Sequence, residues 1–384
     1  MRTAIVSDLH LGAASGEDVL RDAAARQLLL EEIADADRVV LLGDVVELRD
    51  LPVGVALAAA RPFFEELGEA IGDREVTLVP GNHDHRLAEP LLDGLSLDGG
   101  GAGDSHRPSP AGAPALDLEQ LADPSPGPTA LIDEWLGPAR LRIAYPGVWL
   151  REDVYATHGH YMDAHLTLPR AECIAAATLI RFAGPPPDPA TAAEYERVLR
   201  PLYGFFYGVA QARRGGSSGR RTPSEAAWAV LSNRNRNGSL KRRLGSAVAR
   251  HGFPAGIWAL NRLLRADFSP DISTAAISAS GIAAATEMAK RLQVDGGHVI
   301  TGHTHRGGPL ESEAEWSLPG GGTLHNSGSW VFASAFHHPG RPPGPYWPGT
   351  VTWIEESGPP RRTQLLTEHS HTQMTELVGR TWPG

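Results

Sequence analysis

"HVITGHTHRGG", residues 298–308, runs from the apolar pair Val299-Ile300 into a turn where His303 and His305 stand two apart between glycines. In an extended segment residues i and i+2 point to the same side, so both rings can converge on one object. Neutral imidazole is the commonest protein metal ligand, which makes a metal the usual object. The same arrangement, an apolar run that ends in His or Asp, recurs along the chain. "IVSDLHLG" (5–12) ends with Asp8 and His10, "VVLLGDVVE" (39–47) with Gly43-Asp44, and "VTLVPGNHDHR" (76–86) with Gly81-Asn82-His83-Asp84. "VYATHGHYM" (154–162) ends with His158 and His160. Loops beyond the carboxyl ends of strands are where α/β sheets place their sites.

Outward from these motifs, strand patterns cover Thr3–Ser7, Arg38–Leu42 and Glu75–Val79, with helical patterns over Asp18–Ala34 and Val53–Ile71 between them. That is a β-α-β-α-β opening. Strands resume at Leu141–Ala144, Val148–Arg151 and Val154–Thr157, and again at Val299–Thr301, Thr323–Asn326, Ser329–Phe332 and Thr350–Ile354. From about residue 94 to 128 the chain turns to Gly, Pro, Ser and Ala without a usable period, which reads as a flexible surface insertion. The residues between the two later strand groups read as helical, and "TPSE" (222–225) carries the clearest start signal: Thr222 as cap, Pro223 at the first helical position and Glu225 closing a capping box.

With 384 residues, 41% hydrophobic and 21% charged, the chain reads as soluble and globular, with ample length for a full core and insertions. The net charge of −10 hides an asymmetry. Residues 160–295 hold eighteen Lys and Arg against ten Asp and Glu, so the middle of the chain is basic and the remainder strongly acidic. No stretch approaches the roughly 18 apolar residues needed to span a bilayer, and the opening residues do not read as a secretory signal. The single Cys173 rules out an internal disulfide. The cytoplasm is the default expectation, and sixteen histidines against one cysteine direct metal chemistry toward N/O ligands.

The order DxH, GD, GNH, H, GHxH resembles the calcineurin-like metallophosphoesterase superfamily. The resemblance implies an α+β fold with four layers, α/β/β/α, in which a β-sandwich is flanked by helices. It implies two divalent metal ions, manganese first, with iron, zinc or magnesium as alternatives. One ion would be held by Asp8, His10, Asp44 and His305, the other by Asp44, Asn82, His158 and His303, with Asp44 bridging. His83 would stand over the phosphate as electrostatic stabiliser and proton donor. Residues 1–161 and 294–356 would form the two parts of the core, 162–293 a basic helical cap insertion, and 357–384 a C-terminal tail. Two ions and two carboxylates leave net positive charge to attract a phosphate and acidify a bridging water, so a metal-bridging hydroxide is the expected nucleophile. Asp84, counted with His83 among the catalytic candidates, is expected to orient a ligand ring or to stabilise its own turn. His160 is expected at phosphate, metal or surface, Glu47 as an extension of the second motif or a helix-start acid, and Asn326 as a support at a strand end. His85, His106, His325, His337, His338, His369 and His371 read as solvated or packed, and Trp330 as core.

"GDVVELRD" and "GNHD" depart from the GDxVDRG and GNHE of protein phosphatases. "GDVVE", a helical insert between HGH and GHTH, and a later Gly/Ser/Trp strand motif partly resemble the UDP-2,3-diacylglucosamine diphosphatase branch; His83 stands where that branch often carries Arg, and the insert is longer. The leading expectation is therefore a dimetal phosphoesterase acting on a lipid-linked or nucleotide-sugar-like phosphodiester or pyrophosphate, with the basic cap touching an anionic membrane. The alternative is a nuclease, on "RRGGSSGRR" and "NRNRNGSLKRR" near Trp228. A non-catalytic scaffold should have lost ligands, and all seven ligand positions and His83 are present. Oligomeric state is not legible.

Overall fold

The apolar runs before the motifs form strands whose side chains alternate between two faces, and that alternation builds the layers. In the computed structural model, which describes residues 1–98, 116–212, 253–337, 339–341 and 343–378, β1 (Thr3–Val6), β2 (Arg38–Leu42) and β3 (Glu75–Val79) lie parallel. Ala4, Val6, Val39, Leu41, Val76 and Leu78 face one way, into a core shared with α1 (Ala23–Ile33), α2 (Val53–Ile71) and α4 (Pro128–Leu136). Ile5, Val40, Leu42 and Val79 face the other way. Strands buried on both faces must be apolar at nearly every position, which is why these runs are continuous.

The second half-sheet supplies what Ile5 and Val40 pack against. β5 (Arg140–Arg151) pairs with β3 through its first half and, from Gly147, with β6 (Val154–Thr157) through its second. β7 (His298–Thr301) and β9 (Thr323–Asn326) follow in parallel, and β8 (Trp316–Ser317) edges that side. Val148, Val154, Ala156 and Ile300 join Ile5, Val40 and Leu42 in one inner core. The outer face, Tyr155, Val299 and Leu324, is covered by α5 (Ala171–Ala183), α6 (Ala192–Ala212) and the helix Thr274–Arg291. The result is the four-layer α/β/β/α sandwich that the resemblance implies. No helix among the described residues is long and apolar enough to cross a membrane.

Several expectations change. Leu141–Ala144 and Val148–Arg151 are one strand, which leaves β3 after Ile143, takes up β6 from Gly147 and is held between by β4 (Glu119–Ala122), whose Glu119 stands opposite Pro146. Much of the supposed cap is the outer helical layer itself: Tyr195, Leu199 and Leu202 of α6 and Met288 are buried against the half-sheet, whose apolar outer face has to be covered. Near the end of the supposedly flexible 94–128, β4 (Glu119–Ala122) pairs with β5, while 94–98 continue α3 (Glu89–Asp98); the stretch 99–115 lies outside the described residues. Ser329–Phe332 makes only a single bridge, Val331 to Asp18. The C-terminal residues are no tail, since β10 (Thr350–Ile354) pairs with β11 (Arg361–Gln364) and the helix His371–Val378 buries Met374 and Leu377 in the core of α1 and α2. Thr222, Pro223, Glu225, Trp228 and both arginine-rich stretches lie outside the described residues, as do His106 and His338.

Candidate metal centre

Each motif residue leaves the end of a parallel strand, and the chain there bends sharply. Asp8, His10, Asp44, His303 and His305 all have φ between +47° and +66°. Non-glycine residues enter this left-handed region at a cost of about 1–3 kcal/mol each, so the surroundings must hold them there. Backbone bonds lace the loops after β1 and β2 together: Asp8 N–H donates to Gly43 O (3.0 Å), His10 N–H to Asp44 O (2.8 Å) and Leu11 N–H to Val45 O (2.9 Å). Gly43, at φ +81°, cannot be replaced, because a Cβ there would lie inside the imidazole of His158.

The loops bring two groups of ligand-type atoms together. Asp8, His10 and His305 form one, with His10 Nε2 3.1 Å from His305 Nε2 and His305 Nε2 3.3 Å from Asp8 Oδ1. Asp44, His158 and His303 form the other, with His158 Nε2 3.2 Å from Asp44 Oδ2. Asp44 Oδ2 is also 3.7 Å from His10 Nε2, so this carboxylate stands between the groups. Asn82 Oδ1 lies 3.2 Å from His158 Nε2 and 3.0 Å from His303 Nδ1. Asp8 and Asp44 are fully buried, and Asp8 is further held by Ser7 Oγ at 2.6 Å and the N–H of His303 at 3.1 Å.

The donor set fits divalent cations, and the rings themselves make the test. His10 donates Nδ1–H to Glu47 Oε2 (2.9 Å), His158 donates Nδ1–H to Leu42 O (3.0 Å), and His303 donates Nε2–H to Asp163 Oδ1 (2.8 Å). Each ring therefore turns its other nitrogen, a lone pair, toward the centre, which is how acceptors fix metal-ligating imidazoles. Electrostatics agree. Burial opposes charge on every group, yet hydrogen bonding to Glu47 and the charge of Asp44 raise His10 to about 9, and Asp44 raises His158 to about 10. Asp44 is held well below the usual carboxylate range against its burial, first by His158 and then by His83. A centre that draws protons this strongly without a metal is one where a cation can replace them.

Glu47 and Asp163 are the functional residues that the motif reading missed or undervalued. Glu47 is no ordinary helix-start acid; it binds His10 and also His83 Nδ1 at 2.6 Å. Its only sequence signal was its place in "GDVVE", and Asp163, three residues after His160, had none. His83 is half-buried, its Nε2 4.0 Å from Asp44 Oδ2 and its ring edge-on to His10 at 4.6 Å. Asp84 touches no ligand ring. Its carboxylate accepts from the N–H groups of Gly81 (2.6 Å), Val45 (2.7 Å), Asp44 (3.2 Å) and Val46 (3.3 Å), which makes it a clamp between two loops rather than a catalytic group. His160 is fully buried against Tyr145, with Nε2 3.0 Å from that hydroxyl, and so lies neither at the surface nor toward the centre. Asn326 donates to Gly302 O (2.7 Å) and accepts from Gly328 N–H (3.0 Å), steadying the GHTH loop. Trp330 is fully buried, its indole N–H on Thr350 O.

Residues 1–172 match the family of calcineurin-like phosphoesterases. No curated protein matches the chain. Among solved structures, a cold-active protein-tyrosine phosphatase of a psychrophilic Shewanella species aligns over 92% of this chain and 75% of its own at 14% identity, with a TM-score of 0.26, too low to carry any weight. With that family match over residues 1–172 and these clusters of histidine and aspartate, the chain is similar to the calcineurin-like phosphoesterases, and its first part carries residues able to hold divalent metals.

Proposed function

We propose that the chain is a dinuclear phosphoesterase that cleaves a phosphodiester or pyrophosphate bond. Asp8, His10, Asp44 and His305 would hold one divalent cation and Asp44, Asn82, His158 and His303 the other, with manganese the first choice. The carrying observation is Asp44 Oδ2, 3.7 Å from a ring of one group and 3.2 Å from a ring of the other, the position of a bridging carboxylate. Paired divalent ions lower the pKa of water and stabilise charge on phosphoryl oxygens. The protein's own groups do the rest. Glu47 fixes the His83 ring through Nδ1 and leaves Nε2 facing the centre, where the doubly protonated ring can donate to a phosphoryl or leaving-group oxygen. Glu47 and Asp163 keep His10 and His303 in the tautomers that ligation needs. The test is elemental analysis beside hydrolysis of an aryl monoester, an aryl diester, a nucleotide-sugar diphosphate and single-stranded DNA. Two metal equivalents with turnover of the diester or diphosphate support the reading; one equivalent or none in active protein refutes it.

A lipid-linked or nucleotide-sugar-like substrate is supported by large apolar side chains left exposed on the basic middle segment. Phe182, Phe205, Trp258 and Leu263 are between 64% and 84% exposed. Such a surface suits contact with acyl chains or with an anionic membrane. The nuclease alternative rests on arginine-rich stretches outside the described residues, and no described residue favours it.

A further inference from the structure

Beside the proposed metal centre, between the GNHD loop and α6, lies a cavity of about 240 Å³ lined by Arg49, Asn82, His83, Arg86, Tyr203 and Tyr207. Its size suits a phosphate-bearing group rather than a whole substrate. Arg49 is nearly buried, with its side chain 8% exposed. Phe206 lies under the guanidinium at 4.3 Å, and Glu172 accepts from Nη2 at 3.3 Å. Nε–H is buried with no acceptor. Nη1 faces the Asn82 amide at 2.8 Å, and it has an acceptor there only if the amide turns its oxygen to Arg49 and its nitrogen to His158 and His303. An Asn82 oxygen committed to a cation leaves Nη1 facing an NH2 group, so the guanidinium then has no protein acceptor at Nη1 beside the buried, unpaired Nε–H. Leaving a buried donor unpaired costs about 1–3 kcal/mol, and an anion that engages the guanidinium lowers that cost. The acid lining the cavity, Glu89, is already taken up by Arg200 (3.2 Å) and His85 (3.4 Å).

We propose that this cavity takes the second phosphate of a diphosphate substrate, with Arg49 as its anchor and Arg86 at its rim. The inference rests on the dinuclear reading and narrows it. Arg49 pairs with Glu172 and not with Asp8 or Asp44, which places it beside the reacting centre rather than in it. A planar fork is the geometry that grips phosphate oxygens in pairs.

The test uses two probes that differ by one phosphate, AMP and ADP, titrated into manganese-loaded protein by calorimetry and checked as competitive inhibitors of aryl diester hydrolysis. ADP should bind roughly 10-fold or more tightly than AMP, on the scale of one charge-assisted pair. Arg49→Gln should erase that difference while keeping both metal equivalents, with AMP affinity within about 3-fold of wild type; Arg49→Lys should keep part of it. Arg86→Gln, at an exposed position that cannot disturb the core, should lower the ratio by about 3-fold. Equal binding of AMP and ADP by the wild type overturns the inference without recourse to any variant. Loss of a metal equivalent in folded Arg49→Gln also overturns it, since Arg49 would then be a brace for Asn82. Failure of the dinuclear reading shows separately, as fewer than two metal equivalents in the wild type.

Discussion

Two buried knots of histidine and carboxylate sit back to back in this molecule, joined by His158 and His160 of one loop. In the knot around Asp44, ring nitrogens present lone pairs to one another and to a carboxylate: His10 Nε2 meets His305 Nε2, and His158 Nε2 meets Asp44 Oδ2. In the knot around Glu196, every contact pairs a donor with an acceptor. Glu196 Oε1 accepts from the hydroxyls of Tyr145 and Tyr161, Oε2 takes His85 Nε2–H at 3.2 Å, and His160 Nε2–H turns to Tyr145. Both knots hold ligand-type atoms within reach of one cation. The first turns ring lone pairs on one another and on a carboxylate, while in the second the carboxylate is fully taken up and His160 Nδ1 is the one ring nitrogen left without a partner. Composition alone therefore does not identify a metal site; the direction of the lone pairs does.

The largest expected effect falls on the first knot. Asp44→Asn should lower metal content and cut turnover of an aryl phosphodiester by more than about 10³-fold, because an ion supplies several kcal/mol of transition-state stabilisation; metals and activity at wild-type levels would remove Asp44 as a bridge. Next, His83→Ala should lose about 10²-fold in kcat with both metals retained. A lost equivalent would make His83 a ligand. Asp163→Asn and Glu47→Gln should each cost about 10–100-fold in metal affinity or activity, read by competition with a chelator, since each releases a ligand ring.

The smallest effects on chemistry belong to the second knot, and they sharpen the contrast. Glu196→Gln should keep both metals and nearly full activity while losing about 1–3 kcal/mol of stability in a urea titration. Loss of metal would turn that knot into a third site. His85 gives this a pH signature. Despite burial, Glu196 first and Glu89 after it raise His85 to about 9 from an ordinary 6.5. A raised value means that the charged ring stabilises the fold fully below pH 6.5 and loses that contribution as pH climbs through about 9. The stability gap between wild type and His85→Gln should then be on the order of 1–3 kcal/mol at pH 6 and shrink toward zero near pH 10.

The strands and the motif residues at their ends were legible because period-2 burial and Gly-Asp or Gly-Asn turns are local signals. His303 and His305 do not converge through the i, i+2 alternation of an extended segment. Their loop is not extended; both rings reach the centre because both residues sit in the left-handed region. Where the turn differs, the rule of i and i+2 fails. At HGH, Gly159 takes φ +94° and a short 3-10 turn begins at His160, so His158 enters the centre while His160 turns into the helical layer. Glu47 and Asp163 were hard to find for another reason. A carboxylate that holds the far nitrogen of a ligand ring is set by three-dimensional reach, and Asp163 meets His303 across 140 residues of chain. The outer helical layer and the C-terminal strand and helix were misread because a basic or polar stretch betrays little of the face it buries.

β5 has a consequence for how this protein comes apart. Because one strand serves both half-sheets, the proposed ligands divide between them: Asp8, His10, Asp44 and Asn82 extend from the first, His158, His303 and His305 from the second. Cations held by both sets would act as rivets across the seam, tying position 8 to position 305. Ligands that bind only the folded form add stability as the logarithm of their concentration, about 2.7 kcal/mol at a hundredfold excess over Kd. The melting temperature should therefore climb with free manganese and fall with chelator, and the metal supply of the cell would set how long the fold lasts as well as how fast it works.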